Sequence, residues 1–107
     1  MNYDVGDVVL VHFPYYKEGE LIKKVRPAII QKINSDDESI IIQITTNNRS
    51  DKKKGLWILK SSKRGKELGI LSNSFINVSN TALVNKYALI KPIGHCSFMD
   101  EIYELQK

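Results

Sequence analysis

The chain has 107 residues, of which 42% are hydrophobic and 26% are charged. This length and balance are typical of one folded globular domain, so we expect a single domain over residues 1–107. No segment has the ~18 to 20 apolar residues that a membrane-spanning helix needs. The single cysteine, Cys96, excludes an internal disulfide, and with two histidines it cannot complete a zinc site of soft ligands. The lone cysteine fits a reducing compartment, so we expect a cytoplasmic protein that does not span a membrane.

Positive charge is concentrated in one segment of the chain. The net charge is +4. Residues 49–66 hold eight basic side chains and one acidic side chain, a net +7 that leaves −3 for the rest. A clustered basic segment attracts anionic partners, although a solvated loop whose lysines only aid solubility explains the run equally well. The basic side chains are Arg49, Lys52, Lys53, Lys54, Lys60, Lys63, Arg64 and Lys66.

The N-terminal half of the sequence predicts three strands. The first covers residues 8–13, which are β-branched and apolar, and Pro14 ends it because proline cannot donate to a sheet. Residues 15–25 predict a polar loop that is long enough to be functional. Two aliphatic runs, residues 28–33 and 39–45, predict the second and third strands.

The C-terminal half predicts shorter elements and one helix. Between the predicted elements, residues 81–87 are ambiguous and allow a helical turn. At the C-terminus, Ser97 is a candidate N-cap, and Phe98, Ile102 and Leu105 follow at helical spacing. Short strands with one terminal helix indicate a mostly β (α+β) fold, a small barrel or strongly bent sheet. The other predicted elements are a polar loop at 46–55, a strand at 56–59, a basic loop at 61–69, and strands at 75–78 and 88–91.

Any chemistry has to come from residues that the fold brings together, because the sequence contains no Walker loop, HExxH, CxxC or G-x-S-x-G motif. Arg26 precedes Pro27, and a following proline favours an extended backbone at the arginine. The planar guanidinium of Arg26 is then well placed to bind a phosphate. A surface ion pair is the alternative role for Arg26. Thr45 ends the third strand, where its hydroxyl can bond a phosphate oxygen or simply cap the strand. Glu20, in the first long loop, is either solvated or a general base.

Three motifs together resemble the MazF/PemK-like toxin family. Gly6-Asp7 precedes an apolar strand that ends in Phe13-Pro14, Arg26-Pro27-Ala28 opens an aliphatic strand, and Thr45-Thr46 closes another. Gly69-Ile70-Leu71 with Ser74, and Ile93-Gly94-His95, resemble weaker landmarks of the family. The order and spacing agree, and the resemblance spans nearly the whole chain.

The resemblance implies an SH3-like barrel of the CcdB/PemK type with a C-terminal helix, assembled as a homodimer. It implies a toxin that cuts single-stranded mRNA without a metal and is paired with a cognate antitoxin whose acidic tail occupies the RNA groove. The family's catalytic arginine falls on Arg26 and its threonine on Thr45, with Thr46 as the second choice. Glu20 is the nearest match to a loop glutamate that many relatives carry in a Gly-Ser-Glu triplet, which this chain lacks. The candidate RNA-binding residues are Lys24, Arg49, Lys52, Lys53 and Lys54.

Two other functions fit parts of the sequence. A CcdB-like toxin that binds gyrase shares the predicted fold, but it does not use the arginine of the Arg-Pro-Ala motif as a catalytic group. A non-catalytic nucleic-acid-binding module would use the basic segment equally well, because phosphate contacts give affinity without sequence information. An endoribonuclease of this type leaves 2′,3′-cyclic phosphate and 5′-hydroxyl ends, and the sequence does not identify its general base.

Overall fold

The computed structural model describes residues 3–46 and 54–107, with the backbone alone at 14–17 and 23. The described strands form one six-stranded antiparallel sheet in the order β4-β5-β3-β2-β1-β6. Their bounds are β1 (Asp7–Lys17), β2 (Glu20–Ile33), β3 (Glu38–Thr45), β4 (Gly55–Ile58), β5 (Ser74–Asn85) and β6 (Leu89–His95). Two helices, α1 (Lys63–Leu68) and α2 (Met99–Gln106), and a short 3-10 turn (Lys86–Ala88) complete it. The predicted mostly β, barrel-type fold with a C-terminal helix is confirmed.

The first two strands form a long hairpin where a loop was predicted. Their register runs without a break from Val8 opposite Ile29 to Lys17 opposite Glu20. Glu18 and Gly19 lie between them with φ values of 52° and 82°. Positive φ at both central residues is typical of the type I′ turn that joins tightly paired strands. The predicted loop at 15–25 is therefore wrong.

Pro14 does not end the first strand, which is a second correction to the same region. Its backbone lies within β1 and pairs with Lys23 of β2. Val11 is the last residue of β1 that pairs with β6. Pro14 thus lies where β1 has a neighbour on one side only among the described strands, a position at which a sheet tolerates a missing N–H.

A helix replaces the basic loop predicted at 61–69. The Ser62 hydroxyl accepts a hydrogen bond of 3.0 Å from the backbone N–H of Gly65, which is the usual N-cap contact. At the other end Gly69 takes the left-handed conformation, with φ of 74°, as helix-ending glycines commonly do. With six residues, α1 is too short to show an apolar period in the sequence, so its two caps were the available signal.

β5 runs through most of residues 81–87, the segment for which the sequence allows a helical turn. The register between β3 and β5 shifts between Ile42 opposite Thr81 and Ile44 opposite Ile76. Extra residues in one strand bend a sheet and increase its twist, so this bulge helps to curve the sheet. Helical geometry is confined to the 3-10 turn at Lys86–Ala88.

The C-terminal helix is confirmed, but its start differs from the prediction. Phe98, not Ser97, occupies the N-cap, and it makes no side-chain capping bond. The Ser97 hydroxyl instead donates to the Glu67 carboxylate at 2.9 Å and so joins α2 to α1. Phe98 and Ile102 are buried as their spacing predicted. No helix in the described part of the chain is long and apolar enough to cross a membrane.

The central strands are buried on both faces, because alternate residues belong to two separate apolar clusters. The first core is covered by α2 and by Leu68 of α1. The second core lies on the opposite face of β1, β2 and β3, the face that carries Arg26 and Thr45 by strand alternation. Fully buried members of the first core include Val8, Ile29, Ile42, Ile76 and Ile102. The second core consists of Val9, Val11, Ala28, Ile30 and Ile41.

The Gly6-Asp7 motif has a structural role that the sequence did not reveal. The Gly6 N–H donates to the Ile30 carbonyl at 2.8 Å, and its own carbonyl accepts from the Cys96 N–H at 2.7 Å. Asp7 pairs with His95 at 2.9 Å. The motif therefore ties β1 to β2 and to the end of β6.

Burial raises the pKa of the Cys96 thiol to about 11.

Candidate active site

The registers of three strand pairs place the two main candidate residues in one row across the sheet. Arg26 pairs with Val11 of β1, and Thr45 pairs with Phe75 of β5. The last pair between β2 and β3 is Ala28 opposite Gln43. The ladder ends there, and extending its register by two residues would place Arg26 across from Thr45.

Alternation along each strand shows independently that both side chains share a face. Arg26 follows the same side of β2 as Ala28, and Thr45 follows the same side of β3 as Ile41. Ala28 and Ile41 both belong to the second core. A guanidinium and a hydroxyl on one face of neighbouring strands can contact the same anion, as phosphate oxygens accept from both groups.

Arg26 is half-buried at the margin of the second core. Within the described residues it takes part in no ion pair. The surface ion pair that the sequence allowed is therefore not found among those residues. Pro27 follows it in β2 and points to the opposite face, so that the arginine is held on an extended backbone that is paired with β1.

Thr46 lies on the other side of the strand from Thr45. Thr46 lines a cavity of about 340 Å³ together with Leu10, Pro27 and Lys91. Leu10 and Pro27 are paired in the β1–β2 ladder, on the face of the first core. The cavity is therefore lined by the neighbours of Arg26 and Thr45 rather than by those residues themselves. This geometry favours Thr45 over Thr46 as the partner of Arg26.

The weaker family landmarks also meet at this cavity. Gly69, Ile70 and Ser74 line it beside Pro27 and Thr46. Gly69 is essential to the close approach of α1 and β6, since a Cβ atom there would lie 2.1 Å from the Ile93 carbonyl oxygen. Residues far apart in the sequence thus build one surface on the sheet face opposite Arg26 and Thr45.

The other candidate residues differ in how close they lie to Arg26. Lys24 is exposed two residues before Arg26 on the same side of β2. Glu20 is exposed at the hairpin tip, six residues from Arg26 along a strand without bulges. At about 3.3 Å per residue this separation is about 20 Å, so the fold does not bring Glu20 to Arg26. Lys54 is exposed, and its ammonium donates to the Lys107 carbonyl at 3.1 Å. Arg49, Lys52 and Lys53 lie outside the described residues.

Polar side chains beside the row were not predicted from the sequence. Gln43 lies two residues before Thr45 on the same side of β3, and its carbonyl oxygen accepts a hydrogen bond from the Asn80 amide. Trp57 and Phe75 extend the row toward β4, since Phe75 pairs with both Thr45 and Trp57. The sequence signal for this extension was the single tryptophan of the chain in a short strand after a basic segment.

No group of three or more metal-ligating side chains occurs within residues 3–46 and 54–107. An ion pair of 2.5 Å joins Arg64 of α1 to Glu101 of α2. The Glu101 carboxylate raises the pKa of that guanidinium, which also stands 4.1 Å over the Phe98 ring. This pair joins α1 to α2 on the face of the first core and is separate from the Arg26 row.

Fold and site together are those of a small, mostly β protein with an arginine and a threonine in one row of its sheet. The chain belongs to the PemK-like, MazF-like toxins of type II toxin–antitoxin systems, because the model of that family matches residues 4–104. A comparison with curated proteins finds no match. Membership of this family confirms the resemblance seen in the Arg-Pro-Ala and Thr-Thr motifs, and it implies an antitoxin partner.

Proposed function

We propose that this toxin is an endoribonuclease that cuts single-stranded mRNA in the cytoplasm without a metal ion. The observation that supports the proposal is that Arg26 and Thr45 share a face of the neighbouring strands β2 and β3, in a row obtained by extending the register of those strands. A gyrase-binding toxin does not need this pair of phosphate-binding groups. A module that only binds RNA does not need them fixed in one row.

The chemistry that suits the pair is transesterification within the RNA. The 2′-oxygen forms a bond to the adjacent phosphorus and loses its proton to a base, while the bond from phosphorus to the 5′-oxygen breaks. The leaving oxygen takes up a proton, so the products are a 2′,3′-cyclic phosphate and a 5′-hydroxyl. Negative charge grows on the non-bridging oxygens in the transition state, where donors that are already in place stabilise it most.

Each residue of the pair has a distinct role in this proposal. Arg26 offers two parallel N–H groups and a fixed positive charge to the phosphate. Thr45 donates its hydroxyl to a second phosphate oxygen. Lys24, exposed on the same face, holds the neighbouring backbone phosphate. Glu20 is too far from Arg26 along β2 to act on the same phosphate, so we do not assign it the base.

The test is incubation of the purified protein with a long single-stranded RNA in excess EDTA. Wild-type protein should yield discrete fragments, and Arg26→Ala should leave the RNA intact. Arg64→Ala is the matched control, because it removes an arginine from α1 on the other face and should cut like the wild type. Intact RNA with folded wild-type protein would refute the proposal, as would equal cutting by Arg26→Ala.

We also propose that two copies associate and that the antitoxin competes with RNA for the Arg26 face. Leu71 is 90% exposed beside the largely apolar cavity, and a second copy would cover such a side chain. Sedimentation should give a dimer for the wild type and a smaller species for Leu71→Asp. An acidic antitoxin segment should displace RNA from the dimer, and simultaneous binding of both would contradict a shared face.

A further inference from the structure

Trp57 and Phe75 form an aromatic pair at the β4 edge of the sheet. Their ring centroids are 5.4 Å apart and their planes are inclined by 54°. Phe75 is only 4% exposed, whereas Trp57 is 53% exposed. One ring therefore serves as a buried support, and the other presents a large aromatic surface to solvent.

Gly55 allows Phe75 to take this position. It lies two residues before Trp57 on the same side of β4 and pairs with Asn77 of β5. A Cβ atom at Gly55 would stand 2.4 Å from the Phe75 Cζ atom. Because glycine has no side chain, the Phe75 ring can occupy this place and pack against Trp57 from one side.

The pair continues the row that contains the candidate catalytic residues. Phe75 is the direct partner of Thr45 on one side and of Trp57 on the other. Directly paired residues of antiparallel strands share a face. Trp57 is therefore on the face of Arg26, three strand spacings away, which is about 14 Å.

An unpaired polar atom lies beside the same rings. Asn77 is 6% exposed, and its Oδ1 atom is buried without a hydrogen-bond partner among the described residues. Buried acceptors in folded proteins are nearly always paired, and the exceptions call for a functional or structural reason.

We propose that Trp57, supported by Phe75, is a stacking platform for one base of the single-stranded RNA that Arg26 holds by its phosphate. The inference rests on the proposed RNA substrate and names a part of its binding site. Aromatic side chains stack on unpaired bases whatever their identity. RNA is favoured over a protein occupant because the row is continuous with Arg26 and because exposed Lys54 lies just before β4.

The test uses the fact that Trp57 is the single tryptophan of the chain. Titration with a 2′-O-methyl oligonucleotide, which cannot be cut through its 2′-oxygen, should quench the intrinsic fluorescence as a base covers the indole. Anisotropy of the same oligonucleotide with a dye label gives the Kd for every variant. Trp57→Ala should raise Kd by about 5- to 150-fold, and Trp57→Phe should recover most of that loss.

Two controls separate stacking from other effects. Leu83→Ala removes a similarly exposed apolar side chain, 57% exposed, from the far end of β5 and should bind like the wild type. The salt dependence of binding should be the same for Trp57→Ala and the wild type, because stacking releases no counterions. A changed slope with a small loss of affinity would show a charge effect and overturn the inference.

The outcomes also separate this inference from the proposed function. A protein that cuts RNA but shows no quenching, with normal binding by Trp57→Ala, refutes the platform alone. A protein that binds and quenches but never cuts retains the platform and refutes the nuclease. Loss of the dimer in Trp57→Ala, seen by sedimentation, would show that the ring contacts a second copy and would overturn the platform.

Discussion

The two threonines at the end of β3 allow a sharp test of the site, because each can be changed to the nearly isosteric valine. Thr45 shares the face of Arg26, whereas Thr46 lines the cavity on the opposite face. Thr45→Val removes one donor from the phosphate, and loss of one such donor lowers kcat by about 10²- to 10³-fold in other enzymes. We expect Thr45→Val to lose activity in that range.

The same substitution at Thr46 should change kcat/KM by less than about threefold, since no transition-state contact is lost. The assay is cleavage of a short fluorescent RNA under single-turnover conditions, with urea unfolding of each variant as a control. The urea control shows whether any loss of activity comes from a loss of folded protein. A larger activity loss at Thr46 than at Thr45 would refute the assignment of faces.

Four further outcomes test other parts of the account. Arg26→Lys keeps the charge but loses the planar fork, so single-turnover cleavage should fall by about tenfold or more; full activity would show that charge alone suffices. Gly69→Ala should lower the free energy of unfolding by at least about 1 kcal/mol, because φ is +74° and its Cβ would press on the Ile93 carbonyl; an unchanged urea midpoint would contradict this. Folding raises the pKa of Cys96 to about 11, so the unfolded thiol ionises first and stability should fall above about pH 9, by at most about 1.4 kcal/mol per pH unit. Cys96→Ala should remove that part of the decline, and identical pH profiles would contradict it. Lys54→Ala should reduce the salt slope of RNA binding by about one, and an unchanged slope would show that this lysine is only solvated.

Most strands could be predicted from the sequence, but the β1–β2 turn and the short helix α1 could not. Aliphatic runs such as residues 39–45 predicted the central strands, because a short apolar run rich in β-branched residues favours a strand that is buried on both faces. The Glu18-Gly19 turn was not predicted, because the charged residues on both strands of this hairpin give the segment the composition of a loop. α1 was missed because its helical signals, Ser62 and Gly69, are caps rather than a repeated apolar pattern.

The sequence motifs identify the candidate residues of the site. They do not show which of these residues lie side by side, because that depends on how the strands pair. Thr45 ends β3 as the sequence predicts, whereas Arg26 lies inside β2, which begins at Glu20. Their relation depends on the pairing of β2 with β3, which no local pattern reveals. Trp57 was missed for the same reason, because its place in the row depends on two further pairings through Phe75.

The most direct test of the central claim is the chemistry of the ends that the protein leaves on RNA. A synthetic single-stranded RNA cut in EDTA should yield 5′ ends that polynucleotide kinase labels without phosphatase treatment, and 3′ ends that carry a cyclic phosphate. A single 2′-deoxy substitution at the cut site should abolish that cut. Fragments with 5′-phosphate ends, or cutting that survives the 2′-deoxy substitution, would contradict a mechanism in which Arg26 and Thr45 assist attack by the 2′-oxygen.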